Sequence, residues 1–249
     1  MSVVITTFNE QEHIELLLAN VAWADEIVVV DSFSTDNTVT LLRSNQKVIL
    51  HQRAYQGPAE QKNWAITQAS NPWILLMDAD ERISPELMSE LQNWRQQTPK
   101  ADAYTIRFRT HFMGHAVRYS GWQNDKAVRL IRKEKCRYNQ NQVHEDIDTT
   151  GLAVAALKHP FEHFTYKNLD HFLAKMQRYA AWGASDKFSK TTKVTYFQLF
   201  LKPIIRFVKH YILKRGFLDG KVGFIISIFM AWGVFLRYVY LREMIRNGK

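Results

Sequence analysis

The chain has 249 residues, 46% hydrophobic and 23% charged, a globular composition that excludes a disordered or collagen-like polymer. Its single cysteine, Cys136, excludes a disulfide framework and a multi-cysteine metal site, and fits a reducing compartment. The formal charge of +9 is uneven: residues 187–249 carry 13 Lys and Arg against Asp219 and Glu243, whereas residues 1–186 carry 20 against 22 acids.

Residues 2–7 read as a buried strand with no basic or apolar leader ahead of it, so a cytoplasmic catalytic body is expected. Short apolar runs at 3–7, 27–31, 48–51 and 73–78 have strand length and β-branched content. Helical stretches at 11–20, 38–45, 58–69 and 85–97 lie between and after them. Pro58 and Pro85 suit a first helical turn, and Ser84 suits an N-cap. This alternation predicts parallel βαβ units in a doubly wound α/β sheet, whose ligands gather at the carboxyl ends of the strands. Residues 104–110 and 126–132 are further strand candidates, and helical patterning runs from about 166 to the end. Residues 1–165 are read as one domain and 166–249 as a helical region.

Three polar clusters fall at the expected ligand edge. Asp78-Ala-Asp80 follows an apolar strand; carboxylates at that spacing can hold Mg²⁺ or Mn²⁺ and neutralise a leaving diphosphate, or simply form a surface turn. Asp31 ends the second strand, where it can accept from a nucleobase N–H, while Thr35 or Asp36 caps the next helix. Thr7, Asn9 and Glu10 complete the edge, with helix capping by Asn9 as the alternative. Further on, His144-Glu145-Asp146 offers three candidates for a base that deprotonates an acceptor hydroxyl, or else an ordinary solvated loop. Trp122 can stack on a sugar face or pack in a core. Arg129 and Arg132 share a strand face that can clamp phosphates or merely face solvent.

The strings at 3–10 (VITTFNE at its end), 29–36 (VVDSFSTD), 57–63 (GPAEQKN) and 76–81 (LMDADE), in that order, resemble family 2 glycosyltransferases of the GT-A fold. The resemblance implies a Rossmann-like, mostly parallel sheet and an inverting transfer of sugar from a nucleotide-diphosphate donor, with a UDP-sugar expected. It assigns Thr7, Asn9, Glu10, Asp31, Lys62 and Asp78 to the nucleotide sugar and Asp80 to Mg²⁺ or Mn²⁺. The donor half would span about 1–100 and the acceptor half about 100–165. Asp31-Ser32-Phe33 stands where many relatives have Asp-Asp-Gly, which leaves the base open. Residues 120–130 and 142–145 resemble the lipopolysaccharide-core subgroup, often β-glucosyltransferases acting on heptose. That implies Glu145 as base with Asp146 as runner-up, His144 at the metal or diphosphate, and Trp122, Asp125 and Arg129 at the acceptor. The acceptor would be a lipid-linked saccharide, with a polyprenyl phosphate or another cell-envelope glycan as the alternative.

Residues 197–212 form an amphipathic pattern with Gln198, Lys202, Arg206, Lys209 and His210 on one narrow stripe. Residues 222–236 carry no charge and cover about 22 Å as a helix, short of a bilayer's roughly 30 Å hydrocarbon core. Two interfacial helices on an anionic membrane surface are therefore favoured over a spanning helix, at the cytoplasmic face of the inner membrane. Packing on the catalytic body or a homodimer interface is the alternative. Nucleic-acid binding is disfavoured because the basic residues lie on a strongly apolar segment, and a non-catalytic scaffold because Asp31, Asp78, Asp80 and Glu145 are all present.

Overall fold

The computed structural model describes residues 1–139, 146–166 and 168–248. They form two compact units, one of residues 1–108 and 125–163, the other of residues 109–124 and 164–249. The insertion 109–124 thus leaves the first domain as read from the sequence and joins the second unit.

The first unit opens with β1 (Ser2–Thr7), α1 (Gln11–Val21), β2 (Glu26–Asp31), α2 (Thr38–Arg43), β3 (Val48–Gln52), α3 (Pro58–Gln68) and β4 (Trp73–Asp78). These follow the predicted elements within a few residues. Next come β5 (Glu81–Ile83), α4 (Pro85–Arg95) and β6 (Ala103–Phe112), whose last four residues belong to the second unit. β7 (His115–Ala116) also lies in that unit, while β8 (Lys126–Arg132), β9 (Val154–Ala156) and β10 (Phe161–His163) return to the first. Pro58 and Pro85 begin their helices, and Ser84 Oγ accepts from the Leu87 N–H at 3.2 Å.

The strand order is β3-β2-β1-β4-β8-β6-β10-β5. β3, β2, β1 and β4 are parallel; β8 runs antiparallel to β4 and β6. Both faces of the parallel part are covered, which is why its strands read as continuous apolar runs. Val3, Ile5, Ile27 and Val29 pack with Ile14, Leu17 and Leu87 on one face, whereas Val4, Val28 and Leu76 pack with Ala65 and Ile66 on the other.

In the second unit α5 (Leu169–Phe188) and α6 (Lys202–Val208) both pack against α7 (Gly220–Arg246). Pro203 has no N–H to donate, and the turn before it widens to i→i+5 spacing over Phe197–Leu201. α7 runs 27 residues, about 40 Å, so the helix exceeds the charge-free run 222–236 and includes Arg237. A Cβ at Gly223 would fall 1.9 Å from the Gly216 carbonyl oxygen, so only glycine allows this start of α7. The Asp219 carboxylate accepts from the N–H groups of Arg118 and Tyr119 at 3.0 and 2.9 Å and from Ser120 Oγ at 2.8 Å. That single side chain ties the inserted loop to the last helix.

Charge divides sharply between the units. The first holds 15 Lys and Arg with 20 acids; the second holds 18 with four.

Candidate active site

Parallel register brings the predicted edge residues together. Thr7 pairs with Asp31 across β1 and β2, and Thr6 pairs with Asp78 across β1 and β4. Two loops just beyond these strand ends are stitched to each other. The Asn9 N–H donates to Ser34 Oγ and Asn9 Oδ1 accepts from the Thr35 N–H, both at 2.8 Å; the Glu10 N–H donates to Thr38 Oγ1 at 2.8 Å. Asn9 therefore binds across to the next loop and does not cap α1. It does so with a left-handed backbone (φ 54°), a conformation asparagine tolerates better than most residues.

Asp31 is fully buried and accepts from the Ser34 N–H at 2.9 Å, from Ser34 Oγ, and from the Gln52 amide at 3.3 Å. Its carboxylate thus shapes the loop at the strand end. Thr7 Oγ1 is buried without a hydrogen-bond partner. Phe8 and Phe33 each expose about half of their side chains on the two loops, at 54%.

Asp78 sits between two cations. Lys62 Nζ, from α3, lies 3.2 Å from one carboxylate oxygen, and Arg129 Nη2, from β8, lies 2.8 Å from the other. Arg129 also reaches Glu81 at 2.5 Å, and Glu81 accepts from the Asp78 N–H at 3.0 Å. Burial opposes ionisation of Asp78, but Lys62 and Arg129 outweigh it and hold that carboxyl well below the usual range. Glu81 is fully buried and shares Arg129 with Asp78. Burial pushes its pKa up to about 7, against the pull of Arg129 and with the repulsion of Asp78. Lys62 also lies 5.4 Å over the Tyr138 ring, and Arg129 lies 5.3 Å over Phe108. A small crevice of about 10 Å³ is lined by Thr6, Lys62, Asp78, Arg129 and Tyr138, among others.

Asp80 meets a residue that sequence reasoning missed. β10 pairs antiparallel with β5, placing His163 opposite Glu81, and His163 Nε2 lies 3.4 Å from Asp80 Oδ2. Burial disfavours the charged imidazole, yet Asp80, Glu81 and Asp78 together raise its pKa. Both side chains remain about a quarter exposed. A hard carboxylate and a borderline imidazole suit Mn²⁺, and Mg²⁺ sites commonly need only one or two protein ligands besides phosphate and water. The donor set therefore fits a divalent ion, although no group of three or more metal-binding side chains occurs among the described residues.

Two acceptor expectations are corrected. Arg129 is buried between Asp78 and Glu81 and does not present a phosphate clamp on an open strand face. Trp122 lies in the second unit's core, with its ring 6.0 Å edge-to-face from Phe112 and 5.7 Å from Tyr166. An apolar ring packed among aromatics is a core residue, and the sugar-stacking expectation is dropped. Asp125 is exposed, immediately before β8. His144 and Glu145 lie outside the described residues. Asp146 is exposed, and its carbonyl accepts from the Asn139 N–H at 2.9 Å next to the Tyr138–Ile147 bridge.

The parallel α/β sheet gathers acids, a lysine and an Asp–His pair at its carboxyl edge, where sheets of this kind hold their ligands. Residues 2–157 match the family described as Glycosyl transferase family 2, and the chain belongs to that family. It is a glycosyltransferase. It is 26% identical over 250 residues to the lipopolysaccharide core biosynthesis glycosyltransferase LpsC of Rhizobium meliloti, covering 96% of this chain and 93% of that one. It is 29% identical over 257 residues to a Rickettsia bellii protein named as an uncharacterized glycosyltransferase, covering 98% and 86%. Its fold is similar to that of the Pyrobaculum calidifontis mannosyltransferase PcManGT, solved with GDP-Man and Mn²⁺ (TM-score 0.57, 16% identity, 96% and 86% covered). It is also similar to Staphylococcus aureus TarS 1–349 solved with UDP-GlcNAc (TM-score 0.50, 17% identity, 100% and 92% covered).

Proposed function

We propose that the protein is an inverting, divalent-metal-dependent hexosyltransferase. It moves a hexose, with glucose favoured, from a UDP-sugar to a lipid-linked saccharide such as lipopolysaccharide core. The observation that carries this reading is the Asp80–His163 pair beside a cation-bound Asp78 at the sheet's carboxyl edge. Similarity to LpsC supports the acceptor class.

In this reading Thr7, Asn9, Glu10 and Asp31 form the nucleoside end of the site. The exposed Phe8 and Phe33 rings offer apolar faces to a base. Asp78 serves the ribose side, held ionised by Arg129. Lys62, already at the Asp78 carboxylate, supplies a cation for the donor phosphates. Asp80 and His163 would hold Mg²⁺ or Mn²⁺, which supplies neutralising charge to the leaving diphosphate. Inversion needs a carboxylate on the opposite face of the sugar; Glu145 is the proposed base and Asp146 the second candidate.

The second unit supports attachment to the cytoplasmic membrane surface. Gly216–Arg246 is long and apolar enough to cross a membrane by length and composition, with mean hydropathy 1.9 in its most apolar window. Exposed Phe200, Ile204, Ile205 and Leu213 stand among lysines and arginines, a pattern that favours lying in the headgroup region over spanning it. A thermal-shift screen of nucleotide sugars with Mn²⁺ tests the donor. Stabilisation by a UDP-hexose that disappears with a chelator supports the reading; stabilisation that ignores the metal overturns its metal dependence. Glu145→Gln should stop transfer and leave donor binding intact. If Asp146→Asn does so instead, the base is Asp146.

A further inference from the structure

The strand that follows Asp80 is short. β5 has three residues and stands at the end of the strand order, beside β10. A three-residue pairing is marginal by itself, and the buried backbone groups on its far side need partners. Side chains supply them. The Asn20 amide, on α1, donates to the Ile83 carbonyl at 3.0 Å and accepts from the Ile83 N–H at 2.7 Å. Arg82, the middle residue of β5, reaches in the other direction: its Nη2 donates to the His13 carbonyl, in the first turn of α1, at 2.7 Å.

Arg82 does more than tie β5 to α1. Its Nη1 donates to the carbonyls of Ala79 and Glu81 at 2.8 and 2.6 Å. Ala79 lies between the two aspartates, in the turn that joins β4 to β5 and carries Asp80 to His163. Two buried side chains therefore hold that turn. Glu81 takes the Asp78 N–H at its start, and Arg82 takes the Ala79 carbonyl one residue on. Arg82 is only 9% exposed, Ala79 4% and Glu81 not at all. Burial opposes the charge of Arg82, and Asp80 and Glu10 favour it.

The residue type matters. A guanidinium is a planar fork with five donors, so it can serve three carbonyls at once; an ammonium is a compact charge on a flexible stem. Without Arg82 the Ala79 carbonyl is buried and lacks this donor, and the turn must shift to satisfy it. Asp80 then loses its fixed distance to His163.

We propose that Arg82 is the positioning residue of the Asp80–His163 pair. Acting through the Ala79 carbonyl, it holds Asp80 where that carboxylate and His163 can share a divalent ion. The inference rests on the metal reading of the pair and adds the group that preorganises it.

The test is Mn²⁺ binding to the full chain, read by electron paramagnetic resonance of the free ion with and without UDP. Arg82→Gln should weaken binding about 10- to 100-fold, the scale of an outer-shell contact to a metal ligand. By charge alone, removing a cation near Asp80 should tighten Mn²⁺ binding, so a loss reports position. Arg82→Lys keeps the charge but serves fewer carbonyls, and should fall between Arg82→Gln and the wild type. Asn20→Ala releases the other end of β5 from α1; it should lower the melting temperature and leave Mn²⁺ affinity near that of the wild type. Equal losses of affinity in Arg82→Gln and Asn20→Ala reduce Arg82 to a general support of β5 and overturn the proposal. So does wild-type affinity in Arg82→Gln. If Arg82→Gln does not fold, Arg82→Lys decides by the same two outcomes. Asp80→Ala separates the inference from the reading beneath it. If the wild type binds no Mn²⁺, or Asp80→Ala binds it equally well, the metal reading itself fails. If Asp80→Ala loses the ion and Arg82→Gln keeps it, only the role of Arg82 fails.

Discussion

At the sheet edge of the first unit, charged side chains are consumed by one another: Arg129 bridges Asp78 and Glu81, Lys62 closes on Asp78, and His163 on Asp80. In the second unit 18 Lys and Arg meet four acids, and Ile204 and Leu213 stay 57% and 73% exposed. The first arrangement fixes dipoles and charges in advance, as a site that stabilises developing charge requires. The second leaves positive charge and apolar surface without an acidic counterpart of equal size in the same unit. A single net charge for the protein hides both facts, because an acidic unit and a strongly basic one are averaged into a moderate +9.

The comparison breaks most visibly at Arg129. Arg129→Met leaves Asp78 and Glu81 close together without their shared cation, and should cost about 3–5 kcal/mol of stability, read by urea unfolding. Asp80→Ala should leave unfolding nearly unchanged but lower transfer about 10²–10³-fold, the scale of one electrostatic contact to developing charge. Normal turnover in that variant would remove Asp80 from the metal. In the second unit, Ile204→Asp with Leu213→Asp should weaken vesicle binding about tenfold or more, because each side chain forfeits apolar burial, while donor turnover in solution stays at the wild-type rate.

The smallest expected effect is a pH dependence confined to His210. Burial lowers its folded pKa below 6.5, so near and below that pH the unfolded chain binds more protons than the folded one. Its contribution to stability is full above 6.5 and is lost as pH falls through the lower folded value. His210→Gln should melt with a flatter dependence on pH in that window.

Much of the first unit was legible because its signals are local. Strand-length apolar runs, Pro58, Pro85 and Ser84 fix elements within a few residues, and a polar residue at the end of each run marks the ligand edge. What was illegible depends on pairing between distant segments. His163 reaches Asp80 only because a three-residue strand returns antiparallel to β5, and three residues carry no periodicity to read. Arg129 and Arg132 stand three residues apart, so in a regular strand they point to opposite faces and do not share one. The burial of Arg129 comes from the two acids waiting at the end of β4 and the start of β5, which its own segment does not announce. Trp122 reads equally as a stacking platform or a core ring, and only its neighbours Phe112, Phe172 and Tyr166 decide. The proposed base Glu145 rests on resemblance alone.

The Asp219 tie carries a consequence for biosynthesis. Its hydrogen-bond partners, Arg118, Tyr119 and Ser120, precede it by 99 to 101 residues. On a ribosome, every residue of the first unit is made before α5 begins, so the catalytic body can close while the C-terminal helices are still being translated. The loop 109–124 must wait for the last helix to arrive. The order of synthesis thus completes the first unit before the apolar, cationic helices of the second are made.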